Sequence, residues 1–162
     1  MQGVLHTLSV EGDLAEVGVY NGGSAKIIRE TVEGELHLFD TFQGLIGGQI
    51  LSYEEKYSAG DYRTPFDEVS RNLKGLENIS YHIGDVVQMK EDVADKKFRF
   101  IHIDLDLYVP LKGCIDFFFK HLAKGGIMLV SNYDEEHPGV KKVVDEFKKP
   151  TKRYSRFVFY KK

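Results

Sequence analysis

Leu14-Ala15-Glu16-Val17-Gly18-Val19-Tyr20-Asn21-Gly22-Gly23-Ser24 is the stretch that decides the fold. Leu14 to Tyr20 reads as a buried strand and Asn21 to Ser24 as a turn. Ala25 to Val32 reads as a helix, with Ile27, Ile28 and Val32 on or near one face and Gly34 as its C-terminal stop. Glycines in such a turn let the backbone reverse tightly and let a ligand approach the main chain. The helix that follows offers free N–H groups. The spacing from Gly18 to Gly23 is G-x-x-x-G-G. The dinucleotide fingerprint needs G-x-G-x-x-G, so a pyrophosphate cradle is disfavoured. A turn of this kind also occurs with no ligand at all.

Outward from this unit, strand and helix patterns keep alternating. Glu35 to Phe39 is the second expected strand, closed by Asp40. A long segment, 41–63, carries several glycines and tyrosines. Thr64-Pro65-Phe66-Asp67 reads as a helix start, with Thr64 as cap and Pro65 at the first helical position. That helix should run to about Leu73. Ile79 to Ile83 is the third strand, ending in Gly84-Asp85, and Val86 to Val93 a weaker helix. Phe98 to Leu107 is the fourth strand. Pro110 opens a helix with Leu111, Ile115, Phe118 and Leu122 at core-facing spacing, ended by Gly125-Gly126. Ile127 to Val130, a helix over Val140 to Phe147, and a last strand over Arg156 to Tyr160 complete the chain. The connections are too long for hairpins. The pattern predicts an α/β fold, doubly wound, with a mostly parallel sheet of about six to seven strands and helices on both faces. Ligands in such sheets bind beyond the carboxyl ends of the strands.

The bulk numbers set limits. A length of 162 residues fits one domain. A net charge of −3 gives no overall field for nucleic acid or anionic membrane. The lone Cys114 cannot form an internal disulfide, which suits a reducing compartment. No apolar run approaches the roughly 18 residues of a membrane span, and the N-terminus lacks a signal-peptide pattern, so a cytoplasmic protein without membrane contact is expected.

The residues expected to carry chemistry stand just after the strands. Asp40 lies 22 residues beyond Gly18, where an acid can accept the hydroxyl protons of a ribose; a helix cap or a solvated turn acid is the alternative. Asp85 could meet an adenine amino group, or simply cap a helix. Alternation would place His102, Asp104 and Asp106 on one side of the fourth strand and Ile101, Ile103 and Leu105 on the other. Carboxylates in an apolar strand are costly to bury unless paired or used.

Five ordered blocks resemble a known family: AEVGVYNGGSA (15–25), LFDTFQGL (38–45), FIHIDLDLY (100–108), LAKGGIMLVSNY (122–133) and HPGVKKVVDEF (137–147). They look like the macrocin O-methyltransferase-like (TylF-type) family, which is class I, Rossmann-like and dependent on S-adenosylmethionine. The resemblance spans roughly Gly12 to Phe147. It implies that Glu16, Gly18, Tyr20, Asn21, Gly22, Gly23 and Ser24 surround the methionine part of the cofactor. It implies that Asp40, with Thr41 and Phe42, holds the ribose, that Asp85 lies near the adenine, and that Asp104 also faces the cofactor. Family members methylate hydroxyls, often on sugars, and use a divalent metal such as Mg2+. Here the usual Asp-Asp-Tyr after the fifth strand is Ser131-Asn132-Tyr133. Asp104, Asn132 and Asp134 are the remaining candidate ligands, and hard cations prefer several charged oxygens. The class also has covering helices before the first strand and an antiparallel pair at its C-terminal end. This sequence reads as a single domain with a short lead-in and one clear C-terminal strand, so the crevice is expected to be open, or covered by segment 41–63 or by a second copy in a homo-oligomer.

The expected reaction is methyl transfer to the hydroxyl of a small-molecule acceptor, with Asp104 as base or, with a metal, as ligand. His102 and His137 are alternative bases. Two rival readings are a cofactor-binding but inactive module and a nucleic-acid methyltransferase. The latter rests on Lys148 to Lys162, where seven of fifteen residues are Lys or Arg. A solvated basic tail is the favoured reading of that stretch, and an adenine-type Asn-Pro-Pro-Tyr motif is absent. Nucleic acid is therefore not the expected partner.

Overall fold

A computed structural model describes residues 7–162; the first six residues of the stretch read for a signal peptide lie outside them. The strands are β1 (Asp13–Val17), β2 (Leu36–Asp40), β3 (Ile79–Ile83), β4 (Phe98–Ile103), β5 (Leu122–Val130), β6 (Lys152–Tyr154) and β7 (Phe157–Lys161). The helices are α1 (Gly23–Thr31), α2 (Phe66–Asn72), α3 (Val86–Met89), α4 (Tyr108–His121) and α5 (Pro138–Glu146). Among the described residues no helix is long and apolar enough to cross a membrane.

The strands form one seven-stranded sheet in the order β3-β2-β1-β4-β5-β7-β6. The first five are parallel, and β7 runs antiparallel to both β5 and β6. Strand alternation divides the core between two faces. Leu14, Leu36, Leu38 and Phe100 pack with Ala25, Ile28, Val69 and Leu73 from α1 and α2. Ala15, Val17, Ile101 and Ile103 pack with Leu111, Ile115, Phe118, Val140 and Val144 from α4 and α5. Both faces being covered, the parallel strands read as apolar runs. The strand order reverses between β1 and β4, which run parallel, and this is the switch point of a doubly wound sheet.

Several expectations are corrected. The fourth strand stops at Ile103 rather than Leu107: Asp104 N–H still donates to Val17 O (2.8 Å), after which the chain leaves the ladder. Asp104 and Asp106 therefore sit in a loop beyond the strand, not on one of its faces. Helix α4 begins before Pro110, which lies in its first turn, and ends at His121. Leu122 is already extended and pairs with Phe98, so Gly125-Gly126 falls inside β5 instead of ending the helix. Pro65, not Thr64, occupies the cap position of α2, and Thr64 is buried. The stretch 86–93 divides into α3 and a 3-10 turn, Lys90–Val93. The basic C-terminal stretch is not a solvated tail with one strand. It forms the β6–β7 hairpin, turning at Ser155 and Arg156 with Ser155 in the left-handed region.

Candidate active site

A cavity of about 550 Å³ opens at the switch point, beyond the carboxyl ends of β1, β2 and β4. Its floor is the end of β1. Gly18 has φ +86°, and a Cβ there would collide with the Asp104 carbonyl oxygen. Glycine thus lets β1 and the loop after β4 meet closely enough to shape the cavity. Asp40, at the tip of β2, holds the next two residues in place. Its Oδ2 accepts from Val19 N–H (2.7 Å) and Tyr20 N–H (3.0 Å), and its Oδ1 accepts from Phe42 N–H (2.8 Å). Three of a carboxylate's roughly four acceptor positions are so occupied, leaving room on Oδ1 for one hydroxyl. Asp85 caps α3 by accepting from Val87 N–H (2.9 Å), and its other oxygen accepts from Gln49 Nε2 (2.6 Å). The cap reading and a cavity-facing role coexist in this residue.

Segment 41–63 forms one wall. Leu45, Ile46, Gln49, Lys56, Asp61 and Tyr62 reach the cavity, and Tyr62 meets Tyr20 edge-on at 6.1 Å across the mouth. The segment is fastened from inside by Glu54, 1% exposed. Glu54 Oε1 accepts from Tyr108 N–H at the start of α4 (2.8 Å), and Oε2 accepts from Leu51 N–H (2.9 Å). A Cβ at Gly139 of α5 would collide with the same carboxylate. Replacing Glu54 by alanine strands two N–H groups and opens a void. Urea denaturation should show a loss of about 2–4 kcal/mol. A loss below about 0.5 kcal/mol, the range of an ordinary surface change, would show that the fastening is idle.

The opposite wall is acidic and tightly bonded. Asn132 Nδ2 donates to Asp104 Oδ1 and to Asp106 Oδ1, both at 3.0 Å. Arg156 Nη2 donates to Asn132 Oδ1. His137 Nδ1 lies 2.6 Å from Asp134 Oδ1, and its Nε2 lies 3.4 Å from Asp106 Oδ1. Burial, with the charge of Asp104 adding and His137 opposing, pushes Asp106 up to about 6. Burial would also raise Asp134, but the His137 hydrogen bond and the charges of His137 and Arg156 hold it below the usual carboxylate range.

Beneath the cavity, Glu16 Oε1 meets His102 Nδ1 at 2.8 Å, and His102 Nε2 meets Ser131 Oγ at 2.9 Å. All three side chains are buried. Burial alone would lower the His102 pKa, but the hydrogen bond and charge of Glu16 raise it overall. Glu16 and His102 thus belong to a buried polar chain, not to the cavity wall.

The sequence of this chain matches the profile of the macrocin O-methyltransferase (TylF) family over residues 2–155. The chain belongs to the macrocin O-methyltransferase family. It is accordingly an O-methyltransferase that uses S-adenosylmethionine. No curated protein matches it. Similar solved structures include the O-methyltransferase NovP, with 21% identity over 99% of this chain and 76% of that one and a TM-score of 0.76. The calicheamicin methyltransferase CalS11 has 18% identity over the same shares and a TM-score of 0.75. A Streptococcus mutans protein solved in complex with SAH has 15% identity over 94% of this chain and 92% of that one, with a TM-score of 0.58. These likenesses support the fold.

Of the residues expected to bind the cofactor, Gly18, Tyr20, Asn21, Ser24, Asp40, Thr41, Asp85 and Asp104 line the cavity. Gly22 and Gly23 instead form the cap and first residue of α1, and Phe42 is buried under the loop it begins. Sequence reasoning missed Gln49, Lys56, Tyr62 and Arg156, whose positions depend on long-range packing. Asp106 and His137, weighed there, do reach the cavity. The donors proposed for the family's metal do not fit one. Asn132 presents its amide N–H, not its oxygen, to Asp104 and Asp106, and Asp134 is turned to His137 and Arg156. Among the described residues no group of three His, Cys, Asp or Glu side chains is placed to hold an ion.

Proposed function

We propose that S-adenosylmethionine lies across the tips of β1 and β2 and that a hydroxyl of a small molecule, a sugar in particular, is methylated beside Asp104 and Asp106. What carries this reading is one cavity that joins the Gly18 turn, the tip of Asp40 and the Asp104–Asp106 pair in a chain of this family. CalS11, similar in fold, is a TDP-rhamnose 3'-O-methyltransferase, which supports a sugar hydroxyl as acceptor. The free N–H groups at the start of α1, with Tyr20, Asn21 and Ser24, face the amino-acid portion of the cofactor. Asp40 and Thr41 take the ribose, and Asp85 with Gln49 the base. When bound, the cofactor supplies a methyl group that is already electrophilic, so the protein's work is positioning and proton removal. Asp106 accepts the acceptor's hydroxyl proton, with His137 and Asp134 behind it. Asp104, fixed by Asn132 and by its backbone contact with Gly18, orients the reacting oxygen. The fully buried Cys114, its thiol pushed up to about 12 by burial, suits a cytoplasmic setting.

Calorimetry with S-adenosylmethionine and its demethylated product tests the cofactor site. Transfer of labelled methyl groups to a panel of sugars and other hydroxylated molecules tests the acceptor class. Asp40→Asn sets an NH2 donor against backbone N–H donors on one side or the other. It should weaken cofactor binding roughly 10–100-fold, the worth of a hydrogen bond to a charged group. Unchanged affinity would move the ribose elsewhere.

A further inference from the structure

Asn132 stands between two carboxylates and one guanidinium, and this fixes its orientation. Turned the other way, its oxygen would oppose Asp104 and Asp106, and its NH2 would oppose Arg156. The arrangement follows from sheet register. β5 and β7 pair Val130 with Val158, and the same antiparallel register carried two residues on sets Asn132 opposite Arg156. The backbone continues the match, with Tyr133 N–H donating to Arg156 O at 2.9 Å. The β6–β7 hairpin thereby delivers a permanent cation to the acidic wall. Arg156 also lies 3.5 Å from Asp134 Oδ2 and lines the cavity. The neighbouring position, Ser131, cannot supply a charged ligand. Its hydroxyl is 3% exposed and engaged with His102.

We propose that Arg156, acting through Asn132, takes the place of the divalent cation in this chain, so that its active site works without a metal. A guanidinium is charged at any working pH and offers a planar fork of donors. It balances the Asp104–Asp106–Asp134 cluster through Asn132 and through its own approach to Asp134. Arg156 is a positioning residue: it holds Asn132, which in turn spaces the two carboxylates. The proposal rests on the methyltransferase reading for the purpose of the site, but its test needs no turnover and stands or falls apart from that reading.

The test is titration of the cofactor-free protein with MgCl2 and with MnCl2, by calorimetry and by melting. Wild type should give no binding heat and no metal-dependent rise in Tm. The double variant Asn132→Asp with Arg156→Met presents three converging carboxylates and no guanidinium. It should gain a site with Kd on the order of 10⁻⁴–10⁻³ M, as for weak oxygen-ligand sites. Aspartate tolerates the left-handed backbone of position 132, φ +65°, much as asparagine does. Wild-type binding that disappears in Asp104→Asn would overturn the proposal, as would a folded double variant with no affinity for metal. If the double variant fails to fold, Arg156→Met alone decides: metal binding gained supports the exchange of charge, and none gained refutes it.

Discussion

Asp106→Asn is expected to lower kcat by roughly 10²–10⁴-fold while leaving the affinity for S-adenosylmethionine nearly unchanged, the signature of a lost general base. The substitution is isosteric, and the new amide can still offer its oxygen to Asn132 Nδ2, so the wall should keep its shape. The pH profile gives a second readout. Asp106 is raised to about 6, first by burial and then by Asp104. A base must be ionised to act. Wild-type kcat should therefore be full above that pH and fall below it as the carboxylate takes up a proton, and the variant should lose this acid limb. Asp104→Asn should also slow turnover, because it removes the partner that orients the acceptor. Steady-state kinetics from about pH 5 to 8, beside calorimetry, make the measurement. Full activity of Asp106→Asn would take the base role away from it.

The second large effect is structural. Gly18→Ala places a Cβ against the Asp104 carbonyl oxygen and demands φ +86° from an L-residue. The left-handed backbone costs about 1–3 kcal/mol by itself. The collision must also push the end of β1 from the loop after β4, which Asp104 N–H ties to Val17 O. A total near 4 kcal/mol is expected, seen as a fall in Tm of roughly 10 °C for a domain this size. Cofactor binding should weaken in parallel, since the same displacement moves the cavity floor. A Tm within about 2 °C of wild type would mean that β1 and β4 do not converge as described.

The framework was readable because local pattern and burial agree. The third strand runs from Ile79 to Ile83 as expected, and β1, β2 and the Ile127 to Val130 half of β5 are largely buried and rich in apolar residues. Boundaries failed where long-range pairing overrides local signals. Leu107 continues the apolar rhythm of β4, yet the ladder ends four residues earlier, at Ile103, because neither neighbouring strand extends further. Gly125-Gly126 resembles a helix stop, yet β5 has already begun at Leu122, which pairs with Phe98. In the site, Gly18, Asp40, Asp85 and Asp104 were legible because they follow strands directly. Glu54 and Arg156 were not. One is a buried acid inside a loop of no clear periodicity, and the other is one of many basic residues near the C-terminus. Their meaning comes from Tyr108 and Asn132, far away in the chain. Glu16 was placed at the cofactor, but its carboxylate lies under the cavity on His102.

The inward anchoring of Glu54 separates two kinds of change that the protein can undergo. The fittings proposed for the nucleoside lie on the tips of the sheet. Ile46, Lys56, Asp61 and Tyr62, by contrast, reach the cavity from a stretch whose foundation is the start of α4 and Gly139. Ile46, Lys56 and Asp61 can be exchanged between those footings without disturbing β1 or β2, whereas Tyr62 also meets Tyr20 across the mouth. Selectivity for the methylated molecule is thus free to drift among descendants of this scaffold while the donor half stays fixed.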